Sequence, residues 1–200
     1  MSARLTLVSH APTAATNAAA FAADEPLDER GTAWAIGAGG RLSRADRAIC
    51  SPARACLQTA AALQLTVEPE PLLRDWELGR WCGRTLDEVA AAEPAAVAAW
   101  MTEPDAAPHG GERLTDLLAR VANWLGSLPA RGHTVAVTHP AVVRAAVVST
   151  LAAGTGGFWR LDIAPLTATV LRGGPERWTV RTTGLPLVAR TGTAGAEPAP

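Results

Sequence analysis

Lysine and tyrosine are both absent from this chain of 200 residues, and cysteine occurs only three times. All 18 basic side chains are therefore arginine, set against 19 acidic ones for a formal net charge of −1. Such a balance gives no electrostatic basis for binding nucleic acid or an anionic membrane surface. No apolar run approaches the ~20 residues needed to cross a bilayer, and no charged-then-apolar leader opens the chain. The three cysteines, Cys50, Cys56 and Cys82, are odd in number and lack metal-ligand spacing, so they read as free intracellular thiols. A cytoplasmic location follows as the expectation. No local ligand pair of the His-x-x-x-His kind occurs, and Gly37–Gly40 matches neither a dinucleotide fingerprint nor a Walker loop. Neither a metal nor a cofactor is expected. The partner left by these exclusions is a small molecule.

What the chain does contain is two β-branched runs that each end in a histidine. They are Leu5-Thr6-Leu7-Val8-Ser9-His10 and Thr134-Val135-Ala136-Val137-Thr138-His139, and helix-forming residues follow both. In a parallel sheet each imidazole then stands at the carboxyl end of a strand, where open α/β folds bind their ligands. Further strand signals cover residues 47–50, 159–163, 168–172 and 178–182. Helices are predicted over 53–63, with Pro52 at its start, and over 85–92, where Thr85 and Glu88 have capping-box spacing. Others are predicted over 94–101, 115–128 and 140–151; in 115–128, Leu117, Val121, Trp124 and Leu128 recur at helical period. The acidic stretch Asp24, Glu25, Asp28 and Glu29 reads as a solvated loop and helix start. The alternation predicts an α/β fold, a three-layer sandwich with a central, mainly parallel β-sheet flanked by helices. One domain over residues 1–185 is expected, with a Gly-, Ala-, Pro- and Thr-rich tail, disordered, over 186–200. The seven tryptophans are scattered and read as packing residues, except that Trp76 and Trp81 lie in a motif able to reach a pocket.

Three further segments, and the one that carries the second histidine, complete an ordered series with His10. They are Ser51-Pro52-Ala53-Arg54-Ala55 with Gln58-Thr59-Ala60, Leu73-Arg74-Asp75 with Gly79, Trp81 and Gly83, Gly110-Gly111-Glu112, and Val137-Thr138-His139. Together with Ser9-His10-Ala11 they resemble the histidine phosphatase, or phosphoglycerate mutase-like, superfamily over about Leu5 to Val180. The resemblance implies a nucleophile at His10, a second pocket histidine at His139 and a proton-donating acid at Asp75. It also puts Thr16 where the family often keeps a phosphate-facing asparagine. Ser9 and Ala55 stand where the motif has its two phosphate-clamping arginines; Arg54 is one residue early, about 100° away on a helix. Trp76 and His109, the latter just before the Gly-Gly-Glu turn, complete the expected substrate-binding set. A homodimer is compatible, because this fold often dimerises.

A transferring phosphoryl group is stabilised mainly by positioning and by cations, and one arginine acting on its transition state is worth roughly 10³–10⁵ in rate. A site keeping both histidines and losing both arginines therefore suggests chemistry other than phosphate release. The leading expectation is His10/His139 acid–base catalysis on a small non-phosphate metabolite. Two alternatives stand beside it: a weak phosphomonoesterase working through phospho-His10, and a non-catalytic protein that binds a metabolite or another protein.

Overall fold

The computed structural model describes residues 2–187. Its elements are β1 (Ala3–Ser9), α1 (Ala14–Asn17), α2 (Glu29–Gly37), β2 (Arg47–Cys50), α3 (Arg54–Ala62), β3 (Glu68–Pro69), α4 (Leu86–Ala92), α5 (Pro94–Thr102), α6 (Leu114–Ser127), β4 (His133–Thr138), α7 (Pro140–Leu151), β5 (Thr167–Gly174) and β6 (Arg177–Pro186). The six strands form one sheet in the order β3-β2-β4-β1-β5-β6. β3, β2, β4 and β1 run parallel, whereas β5 is antiparallel to both of its neighbours. The sheet is thus mixed, with a parallel heart and a hairpin edge. Only two residues, Pro175 and Glu176, join β5 to β6, and a connection that short enforces antiparallel pairing.

Strand alternation sorts the core into two layers. Leu5, Leu7 and Ala136 project toward α6 and α7, where they meet Leu117, Val121, Trp124 and Val143. Val8, Val135 and Val137 project the other way, toward Ala35 of α2 and Cys56 and Ala60 of α3. Covering on both faces explains why β1 and β4 are buried along almost their whole length rather than on alternate residues. The predicted three-layer α/β sandwich is what the chain forms. Thr85 caps α4 in a full capping box with Glu88, and α6 and α7 lie within one residue of their predicted limits. No helix among the described residues is long and apolar enough to cross a membrane.

Three segments differ from their sequence reading. The strand predicted over 159–163 is absent; Thr155–Arg160 forms 3-10 turns instead. Both neighbour positions of β1 are occupied, by β4 and β5, and Gly156 and Gly157 let the chain turn tightly and bury Phe158 in the core. β3 escaped notice because it has two residues, one of them Pro69, and proline is tolerated only where a strand lies at an edge, as here. The tail predicted from residue 186 begins too early: Pro186 ends β6 and Leu187 is buried. The rest of that segment lies outside the described residues.

Candidate active site

The register of the parallel strands assembles the site. Ser9 of β1 pairs with Thr138 of β4, and Cys50 of β2 with Val137 of β4. The His10 amide donates to the Thr138 carbonyl at 2.9 Å, and the Ser51 amide to the Val137 carbonyl at 2.9 Å. Three adjacent strands therefore deliver His10, His139 and Ser51 side by side at their carboxyl ends. The imidazole centroids are 5.2 Å apart and the rings nearly edge-on, at 72°. Both histidines are almost fully buried and line an open cavity of about 420 Å³ together with Ser51, Ala55 and Trp76.

The surroundings bias the two rings toward opposite protonation states. His10 Nδ1 lies 2.8 Å from the Ala11 carbonyl, which can only accept, so Nδ1 carries the proton and Nε2 keeps its lone pair. Burial, and then the charge on His139, lower the pKa of His10 below the ordinary histidine value. His139 is under the same burial, which works against its charge. Asp75, with Oδ2 3.3 Å from His139 Nδ1, outweighs that penalty and raises the His139 pKa well above the ordinary value. That contact is ionic, because Nδ1 has no partner at hydrogen-bonding geometry. His139 Nε2 meets Ser51 Oγ at 3.0 Å and Cys56 Sγ at 3.5 Å. Burial pushes the Asp75 carboxyl up, yet its imidazolium neighbour holds it below the ordinary carboxylate range. The result is a ring favoured neutral at His10 beside one favoured charged at His139, set apart by environment alone.

A buried ion pair holds Asp75 in place. Arg120 on α6 meets Glu112 in a bidentate pair, Nε to Oε1 and Nη2 to Oε2, both at 2.8 Å, and each side chain is only 7% exposed. The same guanidinium donates to the carbonyls of Leu72, Arg74 and Asp75. The Glu112 carbonyl accepts the Trp76 indole N–H at 2.7 Å, which fixes that ring as a cavity wall. Gly111 must be glycine here, since a Cβ would collide with the Glu77 carbonyl.

The sequence pattern of the histidine phosphatase superfamily, branch 1, matches residues 5–185. The chain belongs to that superfamily. Glucosyl-3-phosphoglycerate phosphatase from Mycobacterium tuberculosis is 32% identical over 130 residues, which is 60% of this chain and 58% of that protein. The chain thus spans little more than half the length of that curated relative. Among solved structures, mycobacterial glucosyl-3-phosphoglycerate phosphatase in complex with VO3 superposes with a TM-score of 0.76 at 27% identity, covering 91% of this chain and 98% of the other. An Escherichia coli protein described as a putative alpha-ribazole-5'-P phosphatase reaches a TM-score of 0.81 at 20% identity, covering 94% of this chain and all of the other, a likeness of fold.

Of the predicted site residues, the structure brings His10, His139, Asp75, Ala55 and Trp76 together around the cavity. Thr16 borders a second lobe of it, with its hydroxyl engaged in the capping box that Thr13 makes at α1. Ser9 does not face the cavity: its hydroxyl donates to the Ala164 carbonyl at 2.7 Å and accepts from the Thr167 amide, which ties β1 to the start of β5. His109 neither rims the pocket nor lies in solvent. It is buried behind Trp76 and Trp81, with Nδ1 accepting from the Gly111 amide. Sequence reasoning missed Ser51 as a side chain on the site, although the strand-end rule that found the histidines applies to it. It also missed Glu25, which accepts from Thr13 Oγ1 at 2.8 Å and lines both lobes. Nothing local marks Glu25, whose neighbours are those of a solvated loop.

NMR titration of the imidazole C–H signals should show His139 titrating above pH 6.5 and His10 below it, in the order that the two shifts require. In Asp75→Asn the His139 titration should fall toward or below the ordinary value; an unchanged His139 would mean that Asp75 is not its counter-ion. Arg120→Met leaves the buried Glu112 carboxylate only the exposed Arg74 at 3.4 Å, so urea unfolding should report a loss of about 3 kcal/mol. A loss near zero would remove the ion pair as the anchor of the Asp75 segment.

Proposed function

We propose that this superfamily member performs acid–base chemistry on a small non-phosphate metabolite, with His10 as base, His139 as acid and Asp75 sustaining the charge on His139. The observation that carries this reading is the charge of the wall around His10. Asp24, Glu25 and Asp75 line that lobe, against one guanidinium, Arg74, and the imidazolium of His139. Arg74 is itself exposed and turned partly toward Glu112, at 3.4 Å. Ser9 and Ala55, at the two places where the family motif carries arginine, supply no charge. A phosphate about 4 Å from an uncompensated carboxylate meets roughly 4 kcal/mol of repulsion per pair of unit charges at an effective dielectric constant of 20. A neutral or singly charged substrate escapes most of that cost.

The geometry supports one direction of proton flow. His10 Nε2, neutral and unpartnered, accepts a proton from the substrate. His139 Nε2 faces Ser51 Oγ, so the proton it gives up enters the cavity through that hydroxyl, Ser51 passing its own proton on as it takes one. The phosphomonoesterase reading is the second one. It is favoured by the phosphatase names of the relatives and would use the same Nε2 lone pair as nucleophile, with Arg74 as its cation.

The deciding measurement is phosphate release from p-nitrophenyl phosphate and a panel of phosphorylated metabolites, in wild type, His10→Ala and Ala55→Arg. No His10-dependent release in wild type is expected, nor a large gain in Ala55→Arg, because the three carboxylates remain. Clear hydrolysis abolished by His10→Ala would establish the phosphatase reading instead. Once a substrate is found, kcat/KM should rise with pH through the lowered pKa of His10 and fall through the raised pKa of His139. A profile without a limb on the acid side of pH 6.5 would remove His10 as the base.

A further inference from the structure

The second lobe of the cavity, about 580 Å³, runs from His10 and Asp75 to Arg144 and Asp162. Much of its wall is aromatic: Phe21, Trp76, Trp100, Phe158 and Trp159. These rings form one connected set, with neighbouring centroids 4.8 to 6.0 Å apart. Trp159 and Phe21 are only half-buried, so part of each ring remains accessible, although one face of Phe21 stacks on Trp81. Phe21 and Trp159, with the exposed margins of Trp76 and Trp100, offer a flat apolar guest a contact surface in a lobe that opens onto His10, while Phe158 lies fully buried behind them.

One cation enters this lobe. Arg144 comes from α7, on the helical face that it shares with Pro140 and Ala141, and both of those residues also line the lobe. Its guanidinium carbon lies 5.8 Å from the Phe158 ring centroid. Its Nε is buried and has no hydrogen-bond partner. Among the described residues no carboxylate comes within ion-pair range of it. Burial depresses its pKa, with Asp162 on the same rim opposing the shift. A partly desolvated guanidinium without a counter-charge is costly unless something that binds there provides one.

We propose that Arg144 and this aromatic wall form a subsite for a small aromatic carboxylate, the guanidinium taking the carboxylate and the rings taking the flat apolar body. The guanidinium fork matches a carboxylate in bidentate fashion. One cation balances a monoanion, whereas the Glu25, Asp75 and Asp162 carboxylates in the same lobe oppose a phosphate dianion. A guest held this way extends toward His10, which borders the same lobe. Its consequence for turnover rests on the acid–base reading above; the binding itself does not.

Calorimetry on the full chain tests it, using phenylacetate, its neutral amide phenylacetamide, acetate and inorganic phosphate. Phenylacetate should bind about tenfold or more tighter than phenylacetamide, a difference of about 1.4 kcal/mol, and Arg144→Gln should erase that difference. Trp159→Leu should weaken phenylacetate while leaving the feeble acetate signal unchanged, since Arg144 reads the charge and the rings read the body. Near-UV circular dichroism checks that each variant keeps its tryptophan packing, and the acid–amide comparison in wild type needs no variant at all. The proposal fails if phenylacetate shows no binding at millimolar concentration, if acid and amide bind alike, or if Arg144→Gln leaves phenylacetate affinity intact. It also fails if inorganic phosphate binds more tightly than phenylacetate and loses its affinity in Arg144→Gln, which would give Arg144 to phosphate. These titrations involve no turnover. Phosphate release in the earlier assay would therefore count against the acid–base reading and leave the subsite to be judged by calorimetry alone.

Discussion

The pair between Arg120 and Glu112 is the constraint on which the site depends. Two opposite charges that are each 7% exposed have lost most of their water, and such a pair is favourable only when its remaining hydrogen-bonding capacity is used. Here it is used. Arg120 also holds three carbonyls of residues 72–75, while the backbone of Glu112 takes the Trp76 indole and donates its own amide to Glu77. A segment with little regular structure, from Leu72 to Glu77, is thereby tied to α6 and to Glu112 by side-chain and backbone hydrogen bonds. Asp75 rides on that segment, so the position of the carboxylate is decided by a guanidinium 45 residues further along the chain.

From Asp75 the consequences pass to the histidines. Identical side chains 5.2 Å apart cannot both be charged in a buried pocket without mutual repulsion. Asp75 touches one of them and breaks the tie, His139 becomes the cation, and the cation then helps to keep His10 neutral. The Ala11 carbonyl settles which nitrogen of His10 carries the proton. Two copies of one residue type thus acquire opposite proton affinities in adjacent positions, a difference supplied by surroundings rather than by sequence.

The superfamily frame explains the position of the site but not its charge. A parallel sheet whose neighbouring strands end together creates a cleft at the carboxyl ends, and many chemistries can occupy such a cleft. What varies is the lining. In this chain the lobe around His10 has more carboxylates than guanidinium groups, and the second lobe has an aromatic wall with one unpaired arginine.

His10 and His139 were legible because a β-branched run followed by a helix former is a local signal, and the end of a parallel strand is a defined place. The helical period of α6 and the capping box at Thr85 were legible for the same reason. Side-chain direction and long-range pairing were not. Ser9 lies next to the nucleophile position in the chain, yet strand alternation turns its hydroxyl toward Ala164 and Thr167, more than 150 residues away. His109 looked like a rim residue in a polar turn and is buried, because Trp76 and Trp81 close over it. Glu25, Arg120 and Arg144 carry no local mark; each acquires its role only when another element packs beside it. By itself the sequence determined most strands and helices, the family frame and the two strand-end histidines, since those follow from periodicity and local conformational preference. Tertiary structure alone decided which histidine is charged, which arginine anchors and which stands unpaired, because charge and burial depend on neighbours that the chain brings together only by folding.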